Sequence, residues 1–339
     1  MSYLQTPVFP LGREASMPSL ISSEAASQQG KRLDRLIFKL WMALTVAAAV
    51  LAVGATITLF VTAWPMGASI ALVSTIALAS LLAVGGIERW KEKIYPKCLR
   101  DVVNVVYAFA IEIIAILGCM VLFPFKIKDE TISRSQTPVL LVHGFMHNSS
   151  GFRYIRSRLR QGGAGQIFTI NFGNPFTQSI SGNFVEKLRS KVKEIAAQTG
   201  RTDLLIIGHS MGGVVSTDFL LSDKRSDIGL VTLGSPLEGT YMAYIGLGPS
   251  AREMRPNSAY IQALHEKQKN FGKKLDALHI GSHADFIICP TKSACGPTWN
   301  HATHTFSDMG HVTYFFSDRV ADQLLQKAHE PSNRIRSFS

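Results

Sequence analysis

The chain reads as an α/β protein: a mainly parallel sheet with helices on both faces, preceded by an apolar helical region. Three observations predict this. From residue 137 onward, short β-rich runs alternate with amphipathic stretches. Ahead of them lie three long apolar runs, 40–64, 68–87 and 102–123. Between a buried-strand pattern and a helix pattern sits Gly208-His209-Ser210-Met211-Gly212-Gly213.

Residues 1–36 are rich in Ser, Gln, Gly and Pro without a helical or strand period, and read as a flexible tail. They are not a signal peptide, because the apolar run that follows is too long and no small-residue cleavage site closes it. Residues 37–124 then read as a transmembrane region of about three helices. Runs 40–64 and 68–87 carry no charge and are separated by Pro65-Met66-Gly67. Each meets the need of roughly 20 residues to cross a bilayer. Charged residues make up only 17% of the chain and mean hydropathy is +0.15, as an apolar region joined to a polar domain produces. The third run carries Asn104 and Glu112. A carboxyl at bilayer depth is costly and faces protein, so a protonated Glu112 is expected to hydrogen-bond Ser or Thr on a neighbouring span.

Lys31, Arg32, Arg35 and Lys39 precede the first run, and Arg89, Lys91, Lys93, Lys97 and Arg100 follow the second. Basic flanks mark the cytoplasmic side. Three crossings then make this an integral multi-pass protein, in a bacterial inner membrane, with everything after residue 125 extracytoplasmic. The net charge of +11 suits anionic lipid head groups, acidic substrates or ordinary solubility. No nucleic-acid-binding motif is present, so nucleic acid is not an expected partner.

The segment 137–328 is expected to be the catalytic domain, with residues 329–339 as a tail. Strands are predicted at 138–145, 166–172, 203–209, 228–234, 275–282 and 299–306. Phe152, Ile155 and Leu159 mark one helix face, and Phe184, Leu188, Val192 and Ile195 another. Further helices are predicted at 211–221 and 318–327.

The chemistry is carried first by Gly208–Gly213. A G-x-S-x-G run after a buried strand and before a helix puts the serine on a sharp turn with its Oγ exposed above the sheet. Gly208 and Gly212 remove side chains that would clash as strand and helix close. A serine hydroxyl needs a base, and in this arrangement an acid and then a histidine follow in chain order. Asp285 follows the strand 275–282, and His311 lies past the last strand. Ser210, Asp285 and His311 are therefore the expected nucleophile, carboxylate and base. The rival histidines, His265, His279, His283, His301 and His304, read as helix, strand or structural positions. Asp308, three residues from His311, is less well placed to face its ring.

The oxyanion hole is expected from the backbone N–H groups of Met211 and Phe145, with Met146 as the alternative. A zinc site drawn from His301, His304, Asp308 and His311 lacks any HExxH or paired CxxC pattern. Cys289 and Cys295 are too few for structural zinc. On the outer side of a membrane they are expected to form a disulfide holding the Asp285 loop.

The ordered set VLLVHGF, GHSMGG, GSPLEGT, PNSAYIQAL, the Asp285 loop ending in Cys289-Pro290, and GHVTYFFSDRV resembles the α/β-hydrolase superfamily, in its bacterial triacylglycerol lipase and esterase branch. The resemblance runs from about residue 138 to 320. It implies the α/β-hydrolase fold, a Ser-His-Asp triad acting through an acyl-enzyme, and no cofactor. It also implies a lid at 238–255, whose Tyr241, Met242, Tyr244, Ile245 and Leu247 suit an acyl chain or plain core. Two departures bear on substrate: Leu237 stands where many such lipases have His, and apolar runs replace secretion. The expected function is hydrolysis of lipid or acyl esters at the bilayer. An acyl-protein thioesterase, and a membrane scaffold with a relict hydrolase domain, are the alternatives.

Overall fold

The computed structural model describes residues 99–129, 136–273, 275–295 and 302–330. The apolar runs 40–64 and 68–87, the tail 1–36, Trp299 and His301 lie outside the described residues.

Six strands form one sheet: β1 (Val139–Val142), β2 (Ile167–Ile170), β3 (Leu204–His209), β4 (Ile228–Leu233), β5 (Ala277–Ser282) and β6 (Ala302–Phe306). Their order is β2-β1-β3-β4-β5-β6, and every pairing is parallel. The four strands β1 to β4 are buried along their whole length. This is why they read as unbroken apolar runs: helices cover both faces, so neither side of the pleat needs polar residues.

Alternation along each strand then separates two cores. Leu140, Val142, Phe168, Leu204, Ile206 and Leu230 point to one face. There they meet α3 (Val185–Thr199), α4 (Met211–Ser222) and α6 (Ala259–Lys269). Val139, Leu141, Ile167, Leu205, Ile207 and Val231 point to the other. That face is covered by α2 (Arg153–Gln161) and α8 (Asp318–His329) through Ile155, Leu159, Val320 and Leu324. Two further helices are short, α5 (Gly248–Glu253) and α7 (Lys292–Cys295). Between α4 and α6, the buried Asp218 accepts from Lys267 Nζ at 2.6 Å and from the Tyr260 hydroxyl at 3.0 Å. A buried carboxylate without such donors would carry a desolvation cost of several kcal/mol.

The third apolar run forms α1 (Leu99–Leu122). Ala108, Glu112, Ala115 and Cys119 are buried, a spacing that puts them on one helical stripe. Cys119 joins the second core, and Phe109 packs edge-on against Phe286 at 5.8 Å. Beyond the helix, Asn148 and Arg153 donate to the carbonyls of Phe123 and Phe125 at 2.8 Å each. The middle of this run is therefore covered by the α/β domain. Its opposite side leaves Val106, Ile114, Leu117, Met120 and Val121 exposed. Among the described residues no helix is long and apolar enough to cross a membrane. Glu112, expected to bond Ser or Thr on a neighbouring span, instead accepts from Thr313 Oγ1 of the α/β domain.

Candidate active site

Parallel strands bring all the loops that follow them to one edge of the sheet. Phe145 follows β1, Ser210 follows β3, Asp285 follows β5 and His311 follows β6. Ligand sites of open parallel sheets form at this edge.

Ser210 sits between β3 and α4 with φ 53° and ψ −125°. A non-glycine residue held there is strained, which requires that the surroundings determine it. Its N–H donates to the Leu233 carbonyl at 2.8 Å. A Cβ on Gly208 would lie 2.6 Å from the Gly213 backbone, so β3 and α4 close on each other as expected. Gly212 has a different reason: a Cβ there would run into the carbonyls of Val142 and His143 at the end of β1. A Cβ on Gly144 would lie 2.8 Å from Ser210 Cβ. The loop after β1 thus rests directly against the serine. Met211 opens α4, so its N–H has no partner within the helix. Met146, the alternative oxyanion donor, has positive φ and an exposed side chain.

His311 and Asp285 are both buried, and His311 Nδ1 donates to Asp285 Oδ2 at 2.8 Å. The other carboxylate oxygen accepts from the N–H groups of Ile287 at 2.9 Å and Ile288 at 3.1 Å. Asp285 is thereby fixed in rotamer, and it fixes the tautomer of the imidazole, leaving Nε2 as the basic nitrogen. Burial alone pushes the His311 imidazole down. The charge and hydrogen bond of Asp285, with Glu112 adding to them, bring it above its usual value. Asp308 is spent elsewhere, on Arg319 Nη2 at 2.7 Å.

Two histidines absent from the expected set have supporting roles. The ring of His209 lies 4.7 Å from that of His311, and its Nε2–H donates to the His311 carbonyl at 2.9 Å. Burial pushes it well below the ordinary value, so it stays neutral. His143 donates from Nδ1 to the Gly144 carbonyl and accepts at Nε2 from Phe172 N–H, each at 2.9 Å. Burial pushes its imidazole down to about 4. It ties the loop bearing Phe145 to the loop after β2. The available signal was position: each histidine ends a buried strand beside a functional turn.

The expected disulfide is absent: Cys289 and Cys295 are both thiols. Different elements hold them. The Cys289 backbone is bonded to Thr240 Oγ1 and Tyr241 N–H. Cys295 ends α7, with Sγ against Gly281 of β5. The Asp285 loop is held by these backbone bonds instead.

In the expected lid, Tyr244, Ile245 and Leu247 are exposed while Tyr241 and Met242 are half-buried. Met146, Phe176 and Phe316 are also exposed, on loops after β1, β2 and β6. Phe176 packs edge-on against Phe145 at 5.8 Å, and its backbone abuts Gly248 of the lid segment.

Residues 139–328, more than half of the chain, match the model of the alpha/beta hydrolase family. The chain is 27% identical over 146 residues to a triacylglycerol lipase of Burkholderia plantarii, covering 40% of each chain. It is 29% identical over 120 residues to a triacylglycerol lipase of Pseudarthrobacter phenanthrenivorans, covering 34% of this chain and 37% of that one. The matches thus span about two fifths of these relatives' length. Among solved structures, lipase B of Aspergillus fumigatus superposes with a TM-score of 0.50 at 14% identity, over 60% of this chain and 55% of that one. The mature lipase BlEst2 of Bacillus licheniformis gives 0.48 at 14% identity, over 58% and 94%. At 14% identity the Aspergillus fumigatus match bears on the fold alone.

Proposed function

Since the chain belongs to the alpha/beta hydrolase family, we propose that it is a membrane-anchored carboxylic ester hydrolase acting on lipid or acyl esters. The observation that carries this reading is the buried His311–Asp285 pair at 2.8 Å, on the same sheet edge as a serine held at positive φ. Ser210 Oγ attacks the ester carbonyl while His311 Nε2 takes its proton. The oxyanion is met by the N–H groups of Met211 and Phe145. The imidazolium then protonates the leaving alkoxide as the carbon–oxygen bond breaks. Water, deprotonated by the same nitrogen, releases the acid from the acyl-enzyme. The apolar residues on the surrounding loops, Met146, Phe176, Tyr244, Ile245 and Leu247, support an acyl chain as the bound group.

The test is Ser210→Ala, which removes one oxygen at a turn. Hydrolysis of a p-nitrophenyl ester should fall by about 10⁴-fold or more, with the thermal transition retained. A fluorophosphonate should label the native protein at Ser210. Retained hydrolysis in the variant would remove this reading. Rates on matched oxygen esters and thioesters then assign the acyl class.

Anchoring rests on runs 40–64 and 68–87, each uncharged and long enough to cross. With the middle of α1 spent on the domain, these two make an even number of crossings. The catalytic domain then shares the side of the basic N-terminal flank, the cytoplasmic side. Three crossings would instead place it on the outer side. Reporters fused after Lys128, one active only inside and one only outside, should signal inside. An outside signal would restore the third crossing.

A further inference from the structure

Glu112 stands 200 positions before the turn it touches, on a helix no part of the proposed chemistry uses. Its Oε1 accepts from Val312 N–H at 2.7 Å. Its Oε2 accepts from Thr313 N–H at 3.0 Å and from Thr313 Oγ1 at 2.8 Å. On the other flank of His311, a Cβ at Gly310 would lie 2.6 Å from Glu112 Cδ. One buried carboxyl therefore touches the residues immediately before and after the histidine.

The three donors define what the carboxyl does. The backbone N–H groups of Val312 and Thr313 open the short 3-10 turn Thr313–Phe316, where no intrahelical acceptor exists. Buried without a partner, each would carry the desolvation penalty of an unmade hydrogen bond. Glu112 supplies both acceptors, while His209 Nε2–H donates to the His311 carbonyl. The backbone of His311 is thus held through the N–H groups that follow it and through its own carbonyl. Its ring is held separately by Asp285.

We propose that Glu112 is a positioning residue for His311, so that α1 completes the active site as well as linking it to the apolar N-terminal region. The inference rests on the ester hydrolase reading given above. A displacement of the base by about 1 Å costs on the order of 100-fold in rate, because proton transfer demands near-attack geometry. Seating of α1 against the domain therefore sets whether the base is in place. The groups facing the His311 ring are Asp285 from the loop after β5, His209 from β3, Tyr314 from its own turn and Glu112 from α1. His147 adds a weaker charge coupling.

The experiment uses the full chain in detergent micelles, with a p-nitrophenyl ester as substrate and fluorophosphonate titration to count active sites. Glu112→Gln keeps the size of the side chain but puts an NH2 donor where an acceptor is needed. Its kcat per titrated site should fall about 10–100-fold, with KM within about twofold. Burial pushes the Glu112 carboxyl up, yet its charge is among the causes that raise His311, so the acid limb of kcat/KM should move to lower pH when it is removed. A variant that loses thermal stability but keeps kcat per site and the acid limb would reduce Glu112 to a structural contact and overturn the proposal. Should Glu112→Gln fail to fold, Thr313→Val removes only the hydroxyl bond and leaves both amides. It should lower kcat by about 2–5-fold at unchanged KM, and an unchanged kcat overturns the proposal equally. Ser210→Ala, run alongside, separates the two readings: if it stays active, the hydrolase assignment itself has failed.

Discussion

The turn that carries Ser210 and the turn that carries His311 are built by opposite means. The serine turn is local. Its strand, its glycines and its helix lie within the run 204–222, and its strain is set by the closure of β3 on α4. From outside that run come the Leu233 carbonyl, which accepts from Ser210 N–H, the Gly144 backbone against Ser210 Cβ, and the end of β1 against Gly212. The histidine turn is assembled from afar. Asp285 holds the ring, His209 holds the carbonyl, and Glu112 holds the amides that follow. A mostly local turn owes its geometry chiefly to its own segment, with neighbouring strands closing round it. An assembled one is only as accurate as the packing of four elements.

The largest effect that would sharpen this contrast is on the assembled side. Asp285→Asn should lower kcat by about 10²–10⁴-fold, because the amide no longer fixes the tautomer or stabilises the imidazolium. The acid limb of kcat/KM, which the raised His311 places above pH 6.5, should move down with it. An unchanged pH profile would mean that Asp285 is not the partner that tunes the base.

The next effect concerns the loop beside the serine. His143 is buried and neutral, pushed down to about 4 from 6.5. The unfolded chain therefore binds more protons than the folded one between these values. Stability contributed by His143 is complete above pH 6.5 and is lost as pH falls towards 4. The loss is roughly 3 kcal/mol as an order of magnitude. Denaturant melts of the wild type and of His143→Gln across this range should show the slope in the first and a smaller one in the second. Equal slopes would place the acid sensitivity elsewhere, with His209 the first alternative.

The smallest expected effect tests how local the serine turn is. Gly212→Ala puts a methyl against the Val142 and His143 carbonyls and should cost about 1–3 kcal/mol of stability. If it is neutral, β1 yields easily and the serine turn is more self-contained than the packing indicates.

Much of the fold was legible because its signals are short-range. Runs such as Leu204–His209 are apolar throughout because both faces of the sheet are covered, and each strand emerged within a few residues of its expected bounds. Ser210 and its glycines form one contiguous motif, and Asp285 and His311 could be chosen by their order along the chain. The disulfide expected between Cys289 and Cys295 was a different kind of inference. Closeness in sequence says nothing of which element each thiol faces, and Cys295 faces β5.

The sequence by itself determined the α/β architecture and marked Ser210, Asp285 and His311 as residues to expect at one sheet edge, since periodicity, motif and chain order can all be read along the chain. Only the tertiary structure decided what holds the histidine. Hydrophobicity alone reads 102–123 as one more membrane helix, because a stripe that packs on protein and a stripe that packs on lipid are made of the same residues. Glu112 distinguishes them, but its partners are two backbone amides and a hydroxyl 200 positions away. Backbone amides are the same at every position, so no pattern in the sequence marks the ones a distant carboxyl will find.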